Sequence, residues 1–112
     1  MLINFILKIV WIHFVADFAL QTTYMARNKS KSNKALGLHC LVYSIPFIII
    51  DWKYAILAGL MHFPVDYITS RITSKLWEKG NVRLFFIVIG FDQAIHMTAL
   101  LFAFKWLVLY GN

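Results

Sequence analysis

The chain has 112 residues, 61% hydrophobic and only 14% charged, a balance outside the range of soluble globular domains and a length that allows one domain. A net charge of +6 would suit a nucleic-acid partner in a soluble protein, but here the basic residues gather between apolar segments, where they set membrane topology instead. The single cysteine, Cys40, excludes an internal disulfide and a cysteine-cluster metal site, and reads as a small buried apolar residue.

The pattern predicts an all-α, integral membrane four-helix bundle, with spans at about 2–22, 36–50, 54–70 and 83–109 of a single domain covering residues 1–112. The first span, Leu2 to Thr22, carries His13, Asp17 and Gln21 and has no small-x-small cleavage signal, so it reads as a retained helix rather than a signal peptide. Arg27, Lys29, Lys31 and Lys34 fill the connection that follows. The second span, Leu36 to Ile50, is short for a crossing of about 20 residues and is bent by Pro46; it carries His39 and Tyr43. The third, Tyr54 to Ser70, places Pro64 between His62 and Asp66, so a bend is expected at the polar pair itself. Arg71, Lys75, Lys79 and Arg83 occupy or border the last connection, and the fourth span carries Asp92, Gln93 and His96.

By the positive-inside rule the first and third connections face the cytoplasm and both termini lie outside. This topology gives the polar residues a common depth. Asp17 and Asp66 each precede the cytoplasmic end of their helix by about 7 Å, and Asp92 lies about 13 Å in from Arg83, at the helical rise. All four histidines and three of the five acidic residues are therefore expected in the cytoplasmic half of the bundle. Both halves also contain His-Phe-x-x-Asp-aromatic, ending in Phe18 and Tyr67, which fits two helical hairpins related by a pseudo-twofold axis along the membrane normal.

Residues i and i+4 share a helix face, so His13/Asp17, His62/Asp66 and Asp92/His96 each present an imidazole beside a carboxylate. Ionisable groups at membrane depth are costly and mark functional sites. Imidazole with carboxylate is a ligand set for Zn, Mn or Fe, and His13, Asp17, His39, His62, Asp66, Asp92 and His96 would serve one or two divalent ions. Gln21, Tyr43 and Gln93 are placed to orient those ligands or simply to hydrogen-bond between helices. Such a site would activate water to attack an ester, phosphoester or amide, with Asp17 or Asp92 as general base. Lys29, Lys31 and Arg71 at the cytoplasmic mouth would bind an anionic headgroup of a membrane lipid or lipid-linked substrate, unless their role is topology alone.

The string His13-Phe-Val-Ala-Asp17-Phe-Ala-Leu-Gln21 running on to Lys29, then His39, His62-x-x-x-Asp66 and Asp92-Gln93-x-x-His96, resembles the DUF3307 family of small bacterial and phage membrane proteins. The resemblance implies a bacterial inner-membrane location, and it implies that these ten positions are the signature of the family; it moves Lys29 from topology toward the site. A looser likeness links the chain to membrane-bound metal-dependent hydrolases. Two other readings stay open: a proton or cation path made from the same His/Asp material, and a non-enzymatic membrane interaction protein in which the pairs only hold helices together. A homodimer is also open, although Gly37, Gly59 and Gly90 stand isolated and no small-x-x-x-small interface motif is evident.

Overall fold

The computed structural model describes residues 2–109, so the terminal residues whose sidedness the topology predicts lie outside it. Helix α1, Leu2–Phe14, continues into a π-helical turn, Val15–Ala19. A short α2, Thr23–Asn28, is capped by the Thr22 hydroxyl, which accepts from the Met25 N–H, and α3, Asn33–Ser44, is capped in the same way by Ser32. Pro46 brings no N–H to the α-helical ladder, and the chain tightens there into a 3₁₀ turn, Ile45–Ile49. Asp51 accepts from the N–H groups of Lys53 and Tyr54 to start α4, Trp52–Glu78. Gly80, at φ 73°, makes the turn into α5, Val82–Ala103, which Asn81 caps and a second π-helical turn, Phe104–Leu109, extends.

The elements are all helical, as expected, with two boundary corrections. The first span stops at Ala19, and the basic connection after it holds α2, nucleated by the Thr22 cap. The third continues beyond Ser70 for two further turns to Glu78, because Ile72 to Glu78 contains no glycine or proline and the first breaker is Gly80. Pro64 lies within α4, which runs on continuously to either side of it.

The interior is sorted by depth. Ile9, Phe47, Tyr54, Ala55, Ala58, Leu100 and Phe104 form an apolar core at one end, where the Tyr54 hydroxyl donates to the Leu100 carbonyl at 2.8 Å. Toward the other end the buried residues become polar: His13, Asp17, His39, His62, Asp66, Thr69, Ser70, Asp92 and His96. Large apolar side chains instead point outward, among them Trp11, Leu41, Ile49, Leu60, Phe91 and Phe102, each more than half exposed. Two segments, Leu2–Ala19 and Val82–Leu107, are long and apolar enough to cross a membrane, while Asn33–Ile49 is apolar but shorter.

Gly59 sets the closest approach of α3 and α4. A Cβ there would lie 3.0 Å from the Ser44 Cβ and 3.3 Å from the Cys40 carbonyl oxygen. With buried Ala55 one turn earlier, Gly59 completes a small-x-x-x-small stripe after all, and the stripe packs within the chain, against α3. Gly59→Val is therefore expected to lower stability by about 1–3 kcal/mol through overpacking, whereas Gly90→Ala, which meets open space, stays within about 0.5 kcal/mol of the parent. Thermal unfolding in detergent compares them, and equal losses for both would contradict the packing.

Candidate functional site

The histidines and aspartates predicted to share a depth do converge, but mostly through contacts between helices. The His13 Nε2 to Asp17 Oδ2 distance is 3.8 Å and the His62 Nε2 to Asp66 Oδ2 distance is 3.6 Å, so neither i, i+4 pair makes a close hydrogen bond. Asp17 instead reaches α3, with Oδ1 accepting from His39 Nε2 at 3.1 Å. The π-helical turn contributes to this, since its wider ladder, with the Leu20 N–H bonded to the Val15 carbonyl five residues back, sets Asp17 out of step with α1. Only Asp92 and His96 remain close along one helix, with Oδ1 3.1 Å from Nε2.

Two triangles of ligand-type atoms share the His39–His62 edge. The two Nε2 atoms lie 3.1 Å apart. Asp17 Oδ1 is 3.1 Å from the first and 3.5 Å from the second, and Asp66 Oδ2 is 3.5 and 3.6 Å from them. Adjacent ligands on a tetrahedral ion with bonds of about 2.0–2.1 Å are separated by about 3.3–3.4 Å. All five separations bracket that value. Each Nε2 carries at most one proton, so protons can satisfy only some of these five contacts, and a cation at the centre would satisfy all of them. Asp66 Oδ2 is ion-paired with Lys29 Nζ at 3.1 Å, whereas the Nδ1 of His39 and of His62 has no hydrogen-bond partner. His96 completes looser groups, one with His62 and Asp66 and another with Asp17 and Asp92, within 4.8 Å.

His13 holds a different place from the ligand role expected of it. Its Nδ1 lies 2.8 Å from the Tyr43 hydroxyl and its Nε2 lies 2.7 Å from Gln93 Oε1. The Gln93 amide nitrogen donates to both Asp17 Oδ2 and Asp92 Oδ2 at 3.1 Å, which turns its carbonyl toward His13. That orientation fixes the proton on His13 Nε2, so Tyr43 donates to Nδ1. Both ring nitrogens are thus occupied, and His13 supports the cluster from outside. Tyr43 also stacks on His62 at 3.9 Å between centroids, and His62 stacks on His96 at 4.0 Å. The two halves of the sequence echo have diverged: His62 faces the centre, and its counterpart His13 does not.

The basic residues divide as well. Lys29 Nζ sits 3.1 and 3.3 Å from the two oxygens of Asp66, the only cationic side chain paired with the cluster among the described residues. Lys31 and Gln21 line the cavity in front of the cluster, and the Gln21 Oε1 there has no partner. Arg71 turns away, with its guanidinium 3.6 Å from the centre of the Tyr67 ring and bonded to the Tyr67 carbonyl and Asn33 Oδ1. Its register on α4, one residue past Ser70, places it outside the cavity wall. Thr69 and Ser70 were not anticipated. The Thr69 hydroxyl lies between the Val65 carbonyl and Asp92 Oδ1, and the buried Ser70 hydroxyl lacks a partner. Their spacing of three and four from Asp66 was the available signal.

Fold and site together define an all-helical protein that buries imidazoles and carboxylates where an ordinary bundle buries leucines. The chain belongs to the family described as "Protein of unknown function (DUF3307)", whose model matches residues 5–112. No curated protein and no solved structure matches it.

The hydrogen-bond chain makes a specific demand on Tyr43. Tyr43→Phe retains the ring on His62 and deletes only the hydroxyl, so a loss of about 0.5–1.5 kcal/mol is expected together with a shift of the His13 Nδ1 resonance, Gln93 still holding the proton on Nε2. Nitrogen-15 spectra of the histidine rings read the tautomer directly, and an unchanged His13 signal would refute the chain of bonds.

Proposed function

We propose that this protein is a multi-pass inner-membrane enzyme that binds a divalent ion between His39, His62 and one or both of Asp17 and Asp66, and hydrolyses an ester or phosphoester at the headgroup level of the membrane. The observation that carries the reading is the meeting of two imidazole nitrogens and two carboxylate oxygens at 3.1–3.6 Å in a buried, otherwise apolar bundle. The outward-facing apolar side chains and the two long apolar segments support the membrane setting, and the basic connections orient it with the cluster toward the cytoplasm.

A divalent Zn, Mn or Fe ion held there supplies Lewis acidity and the means to activate water at neutral pH. Lys29 draws Asp66 outward and fixes its oxygens. Gln93 holds Asp17 and Asp92 a fixed distance apart by donating to both. Asp92 stands outside the tight group of atoms and borders the cavity, so it is the better general base of the two aspartates. In hydrolysis it accepts the proton of the attacking water, whose oxygen bonds to the acyl carbon or phosphorus. As the bond to the leaving oxygen breaks, that proton passes to the departing alcohol. His96, 3.1 Å from Asp92 Oδ1, is positioned to stabilise the transient proton.

The apolar plug of Phe47, Tyr54, Leu100 and Phe104 beyond the cluster favours this reading over a proton or cation path, which needs water on both sides. Protein purified without chelators is expected to carry stoichiometric transition metal by elemental analysis. His39→Ala and His62→Ala should each lower metal affinity at least tenfold, while Arg71→Gln leaves it unchanged. Metal-free parent protein, refractory to added Zn, Mn or Fe, would refute the proposal. Asp92→Asn should keep the metal and lose about 10²–10⁴-fold in turnover; full activity in that variant would remove Asp92 from the mechanism.

A further inference from the structure

A cavity of about 710 Å³ lies directly in front of the cluster. It follows one face of α4 from Asp66 through Ser70, Thr73 and Ser74 to Trp77, about 16 Å at the helical rise. Hydroxyls line this side. Beside it, the part of α5 farther from the cluster is apolar, with Phe85, Phe86 and Ile89 preceding Asp92 and Gln93, and Phe85 lies 5.0 Å from Trp77 between ring centroids; Phe18, Gln21, Arg27 and Lys31 close the far side. A groove with one polar and one apolar wall fits an amphiphile rather than a wholly polar or wholly apolar ligand.

The charge distribution says more about its head. Asp17, Asp66, Asp92 and Glu78 reach the cavity, against Arg27, Lys29 and Lys31. Four carboxylates outweigh three cations, so without a metal the cavity rejects anions. A divalent ion between the histidines reverses the balance and leaves Arg27 and Lys31, neither ion-paired among the described residues, facing the space in front of it. Ser70, only 7% exposed and lining the same space, has a hydroxyl with no hydrogen-bond partner. A buried hydroxyl left unsatisfied costs about 1–3 kcal/mol, and a ligand oxygen would relieve it.

Where the groove opens, its lip is apolar. Phe18 and Phe86, 48% and 61% exposed, continue the exposed apolar surface of Phe14 on α1 and Ile87 on α5. A hydrocarbon tail leaving the groove therefore passes onto a surface already suited to lipid. A free inorganic anion would make no use of the aromatic wall or of this lip.

We propose that the groove that α4 and α5 form with the Asp17–Lys31 segment binds a phosphate-headed amphiphile, its phosphate on the carboxylate side of the His39–His62 cluster beside Arg27, Lys31 and Ser70 and its chain along Phe85, Phe86 and Trp77. This names the substrate class of the metal site and rests on that reading. The volume accommodates a phosphorylated head and the first part of one chain, and the remainder lies among the lipids.

The test uses full-length protein in phosphate-free dodecyl maltoside micelles, with metal content measured on every sample, and titrates dodecyl phosphate, inorganic phosphate and dodecanol while following thermal stability. With Zn²⁺ or Mn²⁺ bound, dodecyl phosphate should stabilise at concentrations at least tenfold below inorganic phosphate, and dodecanol should do nothing specific. Removing the metal should abolish the effect. Ser70→Ala and Trp77→Ala, compared at equal metal occupancy, should each weaken it about fivefold or more, whereas Arg71→Gln should not. Metal-loaded protein that binds dodecyl phosphate no better than inorganic phosphate, or no better than dodecanol, overturns the amphiphile site and leaves the metal site standing. A protein that takes up no metal overturns both.

Discussion

The organisation of this protein depends on one electrostatic constraint: carboxylates and imidazole nitrogens brought within 3.1–3.6 Å of each other inside an apolar bundle must be paired with protons or cations. Lys29 supplies positive charge from the edge, ion-paired with Asp66 and near enough to act on Asp17 as well. Removing one partner of such a cluster leaves an uncompensated buried charge, so the helices that carry these residues depend on one another at this level.

The helices are irregular where they meet that constraint. Asp17 lies in a π-helical turn. Pro64 interrupts the donor ladder of α4 between His62 and Asp66, and the 3₁₀ turn led by Pro46 ends α3 just beyond Tyr43. Each irregularity sits within a turn or so of a site residue, which is where proteins commonly hold departures from regular helix. By contrast, the close α3–α4 contact at Gly59 belongs to packing and holds His39 and His62 within reach of each other.

Much of this was legible in the sequence because period and hydropathy are strong signals in a chain of this kind. The helical class, the approximate positions of the helices and the convergence of His39, His62, Asp17, Asp66, Asp92 and His96 followed from spacing and hydropathy. What spacing could not convey was the direction of each side chain across helices. His13 and His62 occupy equivalent places in the echoed motif, yet the Gln93 amide, oriented by two carboxylates, turns His13 into a hydrogen-bonded support. Arg71 and Ser70 are neighbours in sequence, but the register of α4 buries the hydroxyl and leaves the guanidinium on Tyr67. The extension of α4 to Glu78, hidden by its polar composition, makes the long wall of the cavity.

X-ray absorption at the edge of the bound metal, on protein purified without chelators, tests the central claim most directly. Nitrogen and oxygen neighbours are expected at about 2.0–2.2 Å, with the outer-shell scattering of two imidazoles, lost on replacement of His39 or His62. An ion with no imidazole in its coordination sphere, or a spectrum unchanged by both replacements, would contradict it.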